Sequence, residues 1–74
     1  MESKIRFYLD ISKDEYLRNY SGSAHFVLVQ AEDGRTVRFP AVNLRQFVTA
    51  GGVRGRFEMT LDANNSLIDI RKLA

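Results

Sequence analysis

The chain has 74 residues, of which 45% are hydrophobic and 27% are charged, and its formal net charge is +2. This length allows one small domain, 1–74, and the composition excludes collagen-like, mucin-like and low-complexity disordered chains. Because the sequence contains no cysteine, disulfides and thiolate metal sites are excluded as well.

The first two elements follow from hydrophobic periodicity and a capping signal. Apolar and polar residues alternate from Lys4 to Ile11, which predicts a strand with one solvent-facing side. Ser12 stands three residues before Glu15, and this capping-box spacing predicts a short helix over about Lys13 to Tyr20. We expect Ser21-Gly22 to end that helix. One helical face would carry Tyr16, Leu17 and Tyr20.

The middle of the chain predicts a β-hairpin. Apolar residues occupy both parities between Ser23 and Ala31, which is typical of a central strand covered on both faces. Asp33-Gly34 is a strong turn signal between two β-rich segments. The returning strand covers Thr36 to Phe39 and directs Val37 and Phe39 inward.

The last third of the chain predicts a helix and two more strands. Pro40 cannot donate to a strand ladder and suits a first helical turn, so a helix is predicted from Ala41 to Val48 and ends at Gly51-Gly52. Alternation returns from Val53 to Leu61, and Asp62 to Asn65 is a predicted turn. The final strand runs from Ser66 to Leu73, with Ile68 and Ile70 on its apolar side.

The predicted order is therefore β-α-β-β-α-β-β, which belongs to the α+β class. Its first six elements match the ferredoxin-like split-βαβ order, but both helical connections are short for crossovers between parallel strands. We expect a mainly antiparallel, twisted five-stranded sheet with two short helices, and a partly closed SH3-like or Sm-like barrel is the limiting form. The alternative is a ferredoxin-like fold with one additional strand.

Several phrases of the sequence, spread from about Ile5 to Leu73, match one family at the expected intervals. They are Asp14-Glu-Tyr-Leu-Arg-Asn-Tyr-Ser-Gly22, Asp33-Gly-Arg-Thr-Val-Arg-Phe-Pro-Ala41, Leu44-Arg-Gln-Phe-Val-Thr49, Gly55-Arg-Phe57 and Asp62-Ala-Asn-Asn65. Together they resemble the small bacterial proteins grouped as domain of unknown function 2835. The resemblance implies a free-standing bacterial protein. It implies no activity, so it assigns no functional residue.

The chain offers few groups for catalysis. His25 is the only histidine, and a packed or edge role is the ordinary explanation for a lone histidine in a strand. The sequence lacks a nucleophile elbow, a lysine-bearing phosphate loop and a His-Glu-x-x-His motif. Asp62-x-Asn64-x-Ser66 imitates half of a calcium loop, but Leu67 takes the position of the required glycine. We expect no enzymatic activity, no cofactor and no metal site.

A set of basic residues on the outward parities of the strands is the strongest candidate site. Basic side chains beside an aromatic ring suit single-stranded nucleic acid, because charge follows the phosphates and the ring stacks on bases. Asp10 and Glu58 on the same parities would weaken the field, and outward basic residues also serve solubility. The candidate contact residues are Arg38, Arg54, Arg56, Arg6, Lys4 and Tyr8.

The alternative hypothesis is a protein-interaction or homo-oligomeric module with no role in nucleic-acid binding. A domain this small gains stability from a partner, and its hairpins leave a strand edge unpaired. Tyr16, Tyr20 and Phe47 either belong to the core or form an exposed aromatic patch, and their helical spacing beside aliphatic residues favours the core.

The sequence predicts a cytoplasmic protein with no membrane partner. Its longest apolar stretch is Phe26-Val27-Leu28-Val29, which is far shorter than the roughly 20 residues of a membrane helix. No apolar stretch follows the first basic residues, so the start of the chain does not match a signal peptide.

Overall fold

A computed structural model describes residues 2–20 and 25–74 of the chain. Within these ranges five strands form two antiparallel sheets, with orders β1-β4-β5 and β2-β3, and two short helical segments accompany them. The α+β class and the mainly antiparallel pairing are therefore confirmed. The elements are β1 (Ser3–Ile11), α1 (Lys13–Glu15) continued by a π-helical segment (Tyr16–Tyr20), β2 (Phe26–Gln30), β3 (Thr36–Pro40), a 3₁₀ helix (Ala41–Phe47), β4 (Val53–Leu61) and β5 (Leu67–Lys72).

The five strands are divided between two sheets, and they do not close into a barrel. A backbone hydrogen bond joins the β2–β3 hairpin to β1: the Glu32 N–H donates to the Arg6 carbonyl oxygen at 2.8 Å. The ferredoxin-like alternative is wrong, because it requires the first four strands to share one sheet, whereas β2 and β3 form a sheet separate from that of β1 and β4. Helical segments this short do not carry the chain across a sheet between parallel strands.

Phenylalanine rings from both sheets form the centre of the core. The Phe7 ring lies 5.9 Å from the rings of Phe39 and Phe57, and the Phe47 ring contacts Phe57 edge-on at 5.1 Å between centroids. These rings come from β1, β3, β4 and the 3₁₀ helix, so the core joins both sheets. Its buried apolar residues are Ile5, Phe7, Ile11, Tyr16, Val27, Val29, Ala31, Phe39, Ala41, Leu44, Val53, Phe57, Met59, Leu61 and Ile70.

Two hydrogen bonds fix the first helical segment. The Glu15 N–H donates to Ser12 Oγ at 3.1 Å, which confirms the predicted N-cap. The Tyr16 hydroxyl donates to the Ala41 carbonyl oxygen at 3.2 Å and ties this segment to the 3₁₀ helix. The core assignment of Tyr16, Tyr20 and Phe47 is confirmed, whereas Leu17 is exposed. The predicted stop at Ser21-Gly22 lies outside the described residues.

Both hairpin turns have the same hydrogen-bond pattern. In the first, the Gly34 N–H donates to the Ala31 carbonyl oxygen at 2.9 Å, and the Ala31 N–H donates to the Arg35 carbonyl oxygen at 2.7 Å. This arrangement is a type I turn with a bulge, and it requires a positive φ at its fourth residue. Gly34 supplies a φ of 94° there, and Asn65 supplies 64° at the equivalent place between β4 and β5. The predicted turns are thus confirmed.

Two sequence-based predictions about side-chain direction are wrong. The strand after His25 is covered on one face only, and Phe26 and Leu28 are 50% and 68% exposed, because no described element packs on the outer side of the β2–β3 sheet. His25, which immediately precedes β2, is exposed. Ile68 is 52% exposed, because a bulge at Thr60/Leu61 shifts the β4–β5 register and turns Ile68 outward.

Gly52 is the tightest backbone position in the turn before β4. Its φ is +100°, and a Cβ there would lie 2.1 Å from the Ile11 carbonyl oxygen and 2.7 Å from the Lys13 nitrogen. We predict that Gly52→Ala lowers the free energy of unfolding by at least about 1 kcal/mol in chemical denaturation.

Gly51→Ala is the matched control, because a Cβ at Gly51 meets only Thr49 Oγ1 at 3.9 Å and its φ lies outside the left-handed region. We expect it to change stability by less than about 0.5 kcal/mol. Equal losses in the two variants would contradict the steric explanation for Gly52.

Candidate functional site

The β1–β4 register gathers most of the predicted basic set on one surface. Tyr8 pairs with Arg56, Asp10 pairs with Arg54, and Arg6 pairs with Glu58. Paired residues of an antiparallel ladder point to the same side. The outer face of the β1-β4-β5 sheet therefore carries five of the six candidates, which are Lys4, Arg6, Tyr8, Arg54 and Arg56. Arg38 lies apart from them, on β3 of the other sheet.

Glu58 is the centre of an ion cluster on this outer face, and only 3% of the residue is exposed. Arg6 Nε donates to Oε2 at 3.0 Å, and Arg71 Nη2 donates to Oε1 at 2.9 Å. Lys4 Nζ lies 3.8 Å from Oε1 and donates to Thr60 Oγ1 at 3.3 Å. Three cations therefore surround one carboxylate, which is held by three strands.

The surroundings of Glu58 lower the pKa of its carboxyl below the usual 4.5. Burial acts in the opposite direction and raises the pKa. The hydrogen bond from Arg71 and the positive charges of Arg71, Lys4 and Arg6 outweigh it. The carboxylate thus remains charged and fixed in place, and it compensates the cations around it.

The two arginines of β4 are also paired with carboxylates. Arg54 Nε lies 2.9 Å from Asp10 Oδ1, and both side chains are exposed. Arg56 binds Glu32 in a bidentate manner, through Nε at 2.8 Å and Nη2 at 2.7 Å. This hydrogen bond is the main cause of a lowered pKa of Glu32. Asp10 and Glu58 weaken the field as expected, and Glu32 adds a third carboxylate from the hairpin loop.

A second surface lies on the outer side of the β2–β3 hairpin. We call the outward residues Phe26, Leu28, Gln30, Thr36, Arg38 and Pro40 the hairpin face. The Arg38 guanidinium carbon lies 4.6 Å from the centroid of the Phe26 ring, within the range of a cation–π interaction. Within the described chain, no carboxylate lies within salt-bridge distance of Arg38, and the hairpin face itself contains no acidic residue.

Sequence reasoning missed Phe26 and Leu28 as members of this surface. Their apolar character was visible in the sequence and was assigned to a second covered face. The missing information was whether another element packs on the outer side of the hairpin, because apolar residues on both parities fit either a two-sided strand or a strand with an exposed apolar side. No local signal distinguishes the two.

A cleft of about 410 Å³ borders the hairpin face along β3. Ile5 and Leu61 are the buried apolar residues of its lining. Arg38 belongs both to this cleft and to the hairpin face, so the two features are continuous. The complete lining is Ile5, Arg35, Thr36, Val37, Arg38, Leu61 and Asn65.

Among residues 2–20 and 25–74, no three histidine, cysteine or carboxylate side chains converge in a way that would hold a metal ion. His25 is exposed and immediately precedes β2, whereas Glu58, the carboxylate of the ion cluster, lies on the β1-β4-β5 sheet.

The Glu58 cluster predicts a specific loss of stability at acidic pH. A carboxyl whose pKa is lowered by folding contributes stability that is fully present above its unfolded pKa, about 4.5, and that is lost as the pH falls through its folded pKa. We predict that Glu58→Gln lowers stability at neutral pH and flattens the acid side of the stability profile, as measured by denaturation between pH 2 and 7.

Asp10→Asn is the matched control, because the Asp10–Arg54 pair is exposed and pairs of this kind contribute little. An acid profile of Glu58→Gln that matches the native one would contradict the role assigned to the cluster.

Comparison with known proteins places the chain in one family. The family described as "Protein of unknown function (DUF2835)" matches residues 3–73. Neither a curated protein nor a solved structure matches the chain. In the part of the chain that the structure describes, no helix has the length and apolar character needed to cross a membrane. Because the match covers nearly the whole sequence, the chain belongs to the DUF2835 family of proteins of unknown function.

Proposed function

We propose that this protein is a non-enzymatic binding module and that its partner is a protein bound at the hairpin face. The observation that carries the proposal is the exposure of Phe26 and Leu28, at 50% and 68%, on one side of β2. Contiguous exposed apolar side chains are typical of an interaction site, whereas single scattered ones are ordinary on a protein surface. Full burial of one such side chain contributes roughly 1.5–3 kcal/mol.

Arg38 gives the hairpin face its chemical preference. It pairs with Leu28 across the hairpin and stacks on Phe26, so its positive charge lies within the apolar patch. A partner carboxylate that reaches this guanidinium would form a bidentate pair without displacing another acid. The partner that fits is therefore a protein segment with apolar side chains and a carboxylate.

The same charge disfavours a second copy of the chain as the occupant. A two-fold interface formed by the hairpin face would bring Arg38 of each copy into the same contact. The face contains no acidic residue to compensate the two like charges. Self-association through this face therefore costs electrostatic energy, which an acidic partner avoids.

Single-stranded nucleic acid bound to the outer face of the β1-β4-β5 sheet is the second candidate. Tyr8 favours it, because this ring is 69% exposed and pairs with Arg56. However, phosphates would have to compete with Glu58, Asp10 and Glu32 for the cations. We rank the protein partner first because carboxylates already compensate Arg54 and Arg56, whereas Arg38 has no such partner in the described residues.

A photo-crosslinking amino acid at position 28 tests the protein-partner proposal in the cells that contain this protein. We expect the chain with the crosslinker in place of Leu28 to give a discrete protein adduct. This adduct should disappear when the same chain also carries Arg38→Glu. The same crosslinker at Tyr8 is the control, because Tyr8 is equally exposed on the other sheet.

Three results of this experiment would contradict the protein-partner proposal. One is the absence of a protein adduct at position 28, and another is equal protein adducts from positions 28 and 8. The third is a nucleic-acid adduct at either position.

The nucleic-acid candidate has its own test, an amide NMR titration with mixed single-stranded and duplex oligonucleotides at low and moderate salt. If it holds, shifts cluster at Arg54 and Arg56, fade with salt and vanish in the double charge reversal Arg54→Glu/Arg56→Glu. We expect no such shifts. Salt-sensitive shifts that the double variant removes would replace the protein partner with nucleic acid.

A further inference from the structure

The hydrogen-bond pattern of the hairpin shows which backbone groups of β3 remain unpaired. Ala31 and Arg35 form a hydrogen-bonded pair at the turn, and the Ala41 N–H donates to the His25 carbonyl oxygen at 3.0 Å at the other end. Hydrogen-bonded and non-hydrogen-bonded pairs alternate along an antiparallel ladder. The residues of β3 whose backbone groups form hydrogen bonds with β2 are therefore Val37 and Phe39. The backbone N–H and C=O groups of Thr36 and Arg38 point away from β2.

These outward backbone groups form a free strand edge. In the described residues β3 has β2 as its single ladder partner. The edge ends at Pro40, which has no N–H and whose carbonyl oxygen accepts from Asn43 Nδ2 at 3.2 Å. Thr36 and Arg38 thus offer two donors and two acceptors over a short stretch.

The cleft lies along this edge. Thr36 and Arg38, whose backbone groups are unpaired, both line it, and Ile5 and Leu61 supply buried apolar surface. A strand added to the edge would continue the period of two. Its residues on the Arg38 side would lie beside the hairpin face, and the residues between them would face Ile5 and Leu61.

The charges of the cleft lining favour a negatively charged ligand. Two arginines line the cleft, and its lining contains no carboxylate. Arg35 is already engaged by Asp33, at 2.7 Å from Nη2 to Oδ2. Arg38 is held by the Phe26 ring. Because the ring is uncharged, the charge of Arg38 remains uncompensated, and it faces both the cleft and the outer side of the sheet.

We propose that the partner binds by strand addition: an extended acidic segment of a protein pairs with the free edge of β3 and places alternate carboxylates on the Arg38 side and apolar side chains in the cleft. This proposal rests on the function proposed above and specifies the partner for the same surface. Main-chain hydrogen bonds supply affinity in this mode, and side chains of alternate residues supply specificity.

The test is an amide NMR titration of the labelled full chain with an acetylated peptide of alternating aspartate and valine. We expect the largest shifts at the Thr36 and Arg38 amides and slower hydrogen exchange at both. A peptide of the same sequence with N-methyl groups on alternate residues keeps the side chains and removes the strand pairing, so its binding should be lost.

The Arg38 contribution has matched variants. Arg38→Gln should lower the affinity for the acidic peptide at least tenfold, which corresponds to about 1.4 kcal/mol of binding free energy. Arg45→Gln changes an exposed arginine on the 3₁₀ helix and should leave the affinity unchanged. A peptide with lysine in place of aspartate should not bind.

The outcomes separate the two proposals. Equal binding of the N-methylated peptide, or shifts confined to Phe26, Leu28 and Gln30 on β2, would overturn strand addition and leave the hairpin face as the binding surface. Failure of the acidic peptide to bind, combined with a position-28 crosslink to protein, would also overturn strand addition alone. Absence of that crosslink overturns the proposed function itself.

Discussion

The antiparallel ladder between β1 and β4 is the constraint on which the rest of the structure depends. It runs without a shift from Ser3 paired with Leu61 to Ile11 paired with Val53. Because side chains alternate along both strands, this register places Phe7 beside Phe57 in the core and Arg6 beside Glu58 on the outer face. A slip of one residue would exchange the two faces and bury charges. The core and the ion cluster therefore follow from the same register.

The β2–β3 hairpin covers the apolar face of that three-stranded sheet, and its small size has two consequences. One side of the hairpin packs against the core and no described element covers the other, so Val27 and Phe39 are buried while Phe26 and Leu28 face solvent. A two-stranded sheet also has an unpaired edge on each side, and within the described residues β3 uses only one of its edges. The exposed apolar side chains and the free edge meet at Arg38, because its side chain lies on the uncovered face of the hairpin and its backbone groups lie on the unpaired edge.

The features predicted correctly from the sequence are those with local causes. The strict alternation of β1, the Ser12 cap and the Asp33-Gly34 turn each depend on a few neighbouring residues. Alternation along the strands also groups the basic residues of β1 and β4. The division into two sheets, the bulge that exposes Ile68 and the pairing of Arg56 with Glu32 have no local signal, because they depend on contacts between residues distant in the chain.

The position of each carboxylate, rather than the net charge of +2, decides which surface can attract an anion. An anion that approaches Arg54 or Arg56 must compete with a carboxylate already within 2.9 Å. At Arg38 it meets a guanidinium stacked on a ring, and the cation–π contact leaves the charge available for a hydrogen-bonded acid. One uncompensated arginine among apolar side chains suits a segment that alternates carboxylates with apolar side chains better than a polyanion, whose affinity grows with the number of phosphates neutralised. This distribution of charge is the reason to expect a protein segment rather than nucleic acid at the hairpin face.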